Sequence, residues 1–211
     1  MKKFTGHKEN WGEFLDIKIN ANYILQKQIK KLPIGLVSLS TVTDAYQPIE
    51  KKYSITRKCL ETLLKYQFPV SILTKSSLVL RDIDIIKLFN DIEVGLTITT
   101  DNDYIAKIFE PFASPISTRI NTLKILHENK INTYAFIGPI LPMNPEALIN
   151  KIIPHVNYVL IDKLNYKFIA ERIYKQHNLT YALQDTYLES IAQQLTQLLR
   201  NKGIEVIEAY K

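Results

Sequence analysis

The 211-residue chain is 46% apolar and 23% charged, with a formal net charge of +6. Those proportions suit a globular domain with its own core, and no apolar run approaches the ~20 residues of a membrane span. The basic N-terminal stretch MKKFTGHKENWGEF lacks the apolar centre of a secretory signal, so the expected compartment is the cytoplasm, with no membrane contact. A single cysteine, Cys59, excludes an internal disulfide and a cysteine-rich zinc site. The positive charge is compatible with a nucleic-acid partner; the scatter of lysines among Glu and Asp fits a solvated helix surface better.

In chain order, residues 14–19 (FLDIKI) alternate like a peripheral strand. Residues 34–41 (IGLVSLST) form the first core strand, followed by strands at 69–74, 93–99, 132–138 and 156–161. These runs are short and nearly continuous in apolar residues, as in strands covered on both faces. Helical periodicity fills the gaps. Residues 53–66 place Ile55, Cys59, Leu60, Leu63 and Leu64 on one stripe, and 81–90 form a shorter amphipathic segment. Ser114-Pro115 reads as an N-cap with proline at the first helical position, opening a helix to about Glu128, and Asn144-Pro145 repeats the device up to Ile152. Residues 183–201 form a last long helix that Gly203 stops, before a short strand at 204–207. The whole chain, 1–211, reads as one α/β domain, with 181–211 as a C-terminal helix and extension. Such βα alternation predicts a parallel sheet, either a doubly wound open sheet or a partial barrel, and periodicity does not choose between them.

In both architectures chemistry gathers at the C-terminal ends of the strands. There the sequence places Thr43, Asp44, Tyr46 and Gln47 after the first core strand and Lys75 after the second. Thr97, Thr99, Thr100 and Asp101 end the third, and Pro139 and Pro142 follow the fourth. A carboxylate, an ammonium and hydroxyls on one crevice suit a zwitterionic or polyhydroxyl ligand. Each residue also has a plainer reading: Asp44 as a turn or capping residue, Lys75 as a solvated loop lysine, the threonines as strand formers. The four histidines stand in no ligand spacing, no nucleophile or phosphate-loop motif occurs, and Cys59 on an apolar helix stripe reads as a buried thiol. No residue is singled out as catalytic or metal-binding.

The run SLSTVTDAYQPIEKKYSITRKCLE resembles a segment of radical-SAM proteins similar to spore photoproduct lyase. SILTKSSLVLRDID, VGLTIT, FEPFASPISTRINTLKILHENKI and YAFIGPILP follow in the family's order, so that the resemblance covers roughly residues 1–145. It implies a partial (β/α) barrel. It also implies S-adenosylmethionine as a cofactor, reductively cleaved to a 5′-deoxyadenosyl radical by a [4Fe–4S] cluster on three cysteines of a CxxxCxxC loop. Met1 falls where an internal methionine of the family is expected, after that loop, and Cys59 does not match the motif. The first family strand is thus expected to be missing, and the cluster and the radical step are not expected on this chain alone.

By position, the resemblance assigns Thr43 and Asp44 to the methionine amino group or the ribose, and Lys75 to the carboxylate or ribose. Thr97 and Thr99 take hydroxyl positions, and Glu110 and Arg119 form an ion pair or orient the carboxylate. Ile137 and Gly138 supply backbone against adenine, and Tyr46 and Gln47 lie at the same rim. It also makes a nucleic-acid lesion a candidate substrate. The other reading is a non-catalytic module binding a nucleotide-like ligand or a partner. A barrel open at its first edge is further expected to pair with a second copy.

Overall fold

The computed structural model describes residues 6–9, 12–39, 43–164 and 167–209. In chain order, helix α1 (Ala21–Gln28) precedes strand β1 (Val37–Leu39). Helices α2 (Glu50–Tyr53) and α3 (Ile55–Lys65) follow, then β2 (Val70–Thr74), α4 (Ile83–Ile86) and β3 (Ile92–Thr97). Next come α5 (Asp103–Phe109), α6 (Ile116–Glu128), β4 (Asn132–Ile137), α7 (Pro145–Ile152) and β5 (Tyr158–Ile161). Helices α8 (Lys167–Gln176) and α9 (Asp185–Asn201) and strand β6 (Glu205–Glu208) complete the order.

The strands pair in sequence order, β1 to β6, and every pair is parallel. The register gives the sheet two unlike faces, because side chains alternate along each strand. One face carries Ile72, Val94, Leu96, Ala135, Ile137, Val159 and Ile161, all buried in the main core with Leu60, Leu63, Leu123, Leu126, Leu148 and Leu195 of the helices. The other carries Ser71, Glu93, Gly95, Thr97, Tyr134, Phe136 and Tyr158. The Tyr134 and Tyr158 rings stack there with centroids 4.9 Å apart, and the Tyr158 hydroxyl donates to Glu93 at 2.9 Å. A Cβ at Gly95 would lie 2.2 Å from the Tyr134 ring, so only glycine lets that ring lie on the strand. Apolar residues under helices on one face and a polar, aromatic hollow on the other describe a partial barrel. The fold is therefore the α/β partial barrel, not the doubly wound sheet.

Several local expectations change. Residues 14–19 form no strand: Ile17 and Lys18 carbonyls accept only the local amides of Ile19 and Ala21 on the way into α1. The first core strand is shorter than its apolar run. Its ladder with β2 covers Val37–Leu39 alone, and Ile34 and Leu36 are 70% and 67% exposed. The helix expected over 53–66 is broken at Ser54, whose φ of 50° lies in the left-handed region. The amphipathic stretch at 81–90 yields only a 3-10 turn and the single turn of α4. Pro115, not Ser114, takes the capping position of α6; Asp103 accepts the Ser117 amide and hydroxyl from outside the helix. Asn144 caps α7 through the Ala147 amide with Pro145 behind it, and Gly203 at φ 73° ends α9 as expected. Among the described residues no helix is long and apolar enough to cross a membrane.

Candidate functional site

The strand order carries the loops after β1, β2, β3 and β4 to one end of the barrel. Asp44 stands in the first of them. Its Oδ1 accepts the Tyr46 amide at 2.8 Å and the Thr74 hydroxyl at 2.7 Å, and its Oδ2 accepts the Lys75 amide at 2.8 Å. Three of the roughly four acceptor positions of a carboxylate are thereby filled from within the chain. Asp44 is a turn residue that also fastens the β1 loop to the end of β2.

Beyond that tie lies a charge cluster. The Lys75 ammonium is 3.1 Å from Oε1 of Glu110, and the Arg119 guanidinium is 2.8 Å from Oε2. Oε2 also accepts the Thr99 hydroxyl at 3.2 Å. Arg119 is fully buried and donates to the Thr97 carbonyl at 2.9 Å and the Ser114 carbonyl at 2.7 Å. Its contact with Glu110 is a charge pair that lies off the hydrogen-bond direction. Lys75, by contrast, is 39% exposed, so its ammonium faces both Glu110 and solvent.

At β4, Ile137 points into the helix-covered core, and its carbonyl accepts the Asp162 amide at 2.9 Å, so its side chain does not line the mouth. A Cβ at Gly138 would come within 2.6 Å of the Phe136 ring, which makes this backbone unusually close to its surroundings. Leu141 donates to the Thr99 carbonyl, and the Thr100 hydroxyl donates to the Pro142 carbonyl, so the loop after β4 is sewn to the end of β3. Thr43 is exposed and Gln47 half-buried. Tyr46 backs the crevice beside Asp44, with its side chain completely buried in the core. A crevice of about 680 Å³ opens beside Asp44 and Lys75, walled by Gln47, Lys51, Ser76, Arg81 and Phe112.

Sequence reasoning missed the scaffold beneath this mouth. Glu50 accepts the amides of Ile55 and Thr56 and so caps α3. It also receives Arg81 at 2.8 Å. Arg81 reaches Asp82 at 2.7 Å, and the fully buried Asp82 receives Arg57 at 3.0 Å, which continues to Asp84 at 2.7 Å. Hydrogen bonds to Asp84 and Asp82 hold the Arg57 proton firmly, and those to Asp82 and Glu50 do so for Arg81. Burial, reinforced by the charge of Asp82, pushes the Tyr46 hydroxyl far up, although that hydroxyl lies outside hydrogen-bonding geometry. The acids and arginines of this scaffold all occur in the quoted segments QPIE, ITRK and LRDID. Only their meeting in space reveals them.

Two implied groups fare differently against these residues. A [4Fe–4S] cluster does not fit: the chain has one cysteine, and no group of three potential metal ligands occurs among the described residues. Cys59 sits half-buried in α3, where burial raises its thiol. S-adenosylmethionine fits the donor set through its charged end: the mouth offers a partly exposed cation, Lys75, beside the Glu110 carboxylate, whereas Thr97 and Thr99 are buried and the space above Gly138 is filled by the Phe136 ring.

No family model matches the chain. An uncharacterized protein of Methanocaldococcus jannaschii is 42% identical over 183 residues, which are 85% of this chain and 66% of that protein. An uncharacterized protein of Acidianus two-tailed virus is 30% identical over 136 residues, 64% of this chain. The chain thus spans 66% and 44% of the curated relatives it matches. Among solved structures, Streptococcus suis SuiB bound to S-adenosylmethionine aligns with TM-score 0.60 at 14% identity, over 94% of this chain and 43% of that one. A spore photoproduct lyase variant with bound AdoMet and dinucleoside spore photoproduct aligns with TM-score 0.65 at 13% identity, over 91% and 67%. The likeness to both establishes a shared fold.

Proposed function

We propose that the mouth of this barrel binds S-adenosylmethionine and that the chain is the body of a radical S-adenosylmethionine enzyme. One observation carries the reading: Lys75 after β2, Glu110 at the end of α5, Arg119 of α6, and Thr97 and Thr99 at the end of β3 meet in one charge cluster at the C-terminal end of the strands. A methionine end needs a cation and an acceptor, a ribose needs hydroxyl partners, and an adenine needs close backbone. Lys75 would hold the carboxylate, with the Thr99 hydroxyl and the Thr97 carbonyl fixing Glu110 and Arg119 behind it, and the 137–138 backbone would flank the base. Reductive cleavage of a bound cofactor to a 5′-deoxyadenosyl radical would need an electron from a [4Fe–4S] cluster held outside these residues.

The chain's own part is to bind and orient. Its single cysteine cannot supply the thiolates of a cluster, so these residues alone are proposed to be inactive in cofactor cleavage. The spore photoproduct lyase likeness makes a nucleic-acid lesion the leading substrate candidate. The same cysteine count favours a second reading, a nucleotide-binding module without catalysis. Titration calorimetry with S-adenosylmethionine tests the common core of both. Lys75→Ala should weaken binding by roughly ten- to a hundredfold, the effect of losing a charge-assisted hydrogen bond. Unchanged affinity would remove Lys75 from the site, and no binding by the unaltered chain would remove the cofactor.

A further inference from the structure

The crevice beside Asp44 and Lys75 has walls that the charge cluster does not share. Glu110, Arg119, Thr97 and Thr99 do not line it, whereas Lys51, Leu78, Arg81 and Phe112 do. Its charged side chains, among the described residues, are the cations of Lys51, Lys75 and Arg81 and the carboxylate of Asp44. Two amides and a hydroxyl already occupy that carboxylate. The cations are not alike. Arg81 is held by Glu50 and Asp82, and Lys75 meets Glu110. Lys51 is exposed, and its ammonium makes no ion pair among the described residues.

Phe112 stands at the lip of the crevice, 95% exposed. Its loop is tied on both sides. The Pro111 carbonyl accepts the Lys107 ammonium at 2.7 Å, the Ala113 amide donates to the Glu110 carbonyl at 3.1 Å, and the Ser114 carbonyl accepts Arg119 at 2.7 Å. A fixed backbone thus holds an aromatic ring in solvent beside an unpaired cation. A ring and a cation so placed stack an unpaired base and neutralise its phosphate together. An acidic peptide would answer Lys51 but brings no flat face for the ring.

We propose that this crevice seats one nucleotide unit of a single-stranded or locally unpaired nucleic acid, its base stacked on Phe112 and its phosphate on the Lys51 ammonium. Lys75 and Arg81 add positive potential from the wall while keeping their own acids. The seat deepens the nucleic-acid part of the proposed function and rests on that part alone. Cofactor binding is not required for it.

Fluorescence anisotropy of the full chain, free of S-adenosylmethionine, with a labelled thymidine oligonucleotide of about a dozen units tests the seat. The single strand should bind more tightly than its duplex with the complementary strand, because a paired base cannot reach the ring. Phe112→Ala should weaken single-strand binding by about tenfold, and Phe112→Tyr should retain it. Lys51→Ala should lower the slope of log affinity against log salt by about 0.7, the contribution of one single-strand phosphate. Lys87→Ala removes an exposed lysine beside the first residues of β3 and β4 and should leave that slope unchanged. Phe112 and Lys51 are both exposed, so neither substitution disturbs the core. Single-strand affinity unchanged in Phe112→Ala, a salt slope unchanged in Lys51→Ala, or no binding by the unaltered chain overturns the seat. Each of these results leaves the cofactor site standing, and a failed cofactor titration leaves the seat standing.

Discussion

Oδ2 of Asp44 accepts the backbone amide of Lys75 at 2.8 Å. The bond joins the loop after β1 to the loop after β2 at the point where the lysine turns toward Glu110. Two neighbouring strands that pair over only three residues, Val37–Leu39 with Val70–Ile72, gain a second fastening there. Asp44 shapes the mouth by holding backbone.

Asp44→Ala should therefore destabilise the fold itself. It leaves the Tyr46 and Lys75 amides and the Thr74 hydroxyl without their acceptor, a loss of about 1–3 kcal/mol for a buried unsatisfied group. Urea denaturation reads the difference without any ligand. A residue whose purpose was ligand contact alone would show no loss.

The scaffold under the mouth makes a contrasting pair of expectations. Asp82 is fully buried and held by Arg81 and Arg57. Arg81→Met removes one of its two cations and should cost about 3 kcal/mol, because a buried carboxylate loses its partner. The exposed pair Lys124–Glu128, 3.9 Å apart on α6, lies in solvent. Lys124→Met should change stability by less than ~0.5 kcal/mol. Equal effects at the two sites would mean that Asp82 does not depend on its arginines.

Asp103 gives a pH dependence. Burial works to raise its carboxyl, but hydrogen bonds from Ser117 and the start of α6 outweigh it and hold the group below its usual value. A depressed folded value stabilises the protein above the ordinary carboxylate range, and the benefit is lost as pH falls through the lower folded value. Asp103→Ala should thus lower stability by about 1 kcal/mol near neutral pH, as the loss of a helix cap does. The gap to the unaltered protein should close as pH drops below about 4. Thermal denaturation at the two pH values checks it; a gap independent of pH would mean the charge of Asp103 is irrelevant to α6.

Sequence made the parallel strands legible where they are buried on the helix side, since 69–74, 93–99 and 132–138 run apolar over β2, β3 and β4. It failed at 14–19, where alternation alone cannot provide a partner strand, and at Ser54, where one left-handed residue and the Glu50 cap split a continuous helical stripe. The mouth was legible as a set of polar residues at successive strand ends. The division of labour within it was not. Asp44 and Glu110 are both acids near Lys75, and only geometry shows one carboxylate filled by two amides and a hydroxyl and the other facing a partly exposed ammonium. Tyr46, two residues from Asp44, turns inward for the same reason, since the turn that uses Asp44 sends the next aromatic into the core.

The binding of S-adenosylmethionine at this mouth is tested most directly by an amide NMR titration of the full chain with that compound up to millimolar concentration. The resonances of Lys75, Thr99, Glu110 and Gly138 should shift together along one saturating curve, with those of Asn129 and Lys130 at the opposite end of the strands unmoved. An absence of shifts at millimolar cofactor, or saturating shifts confined to residues away from the C-terminal strand ends, would contradict it.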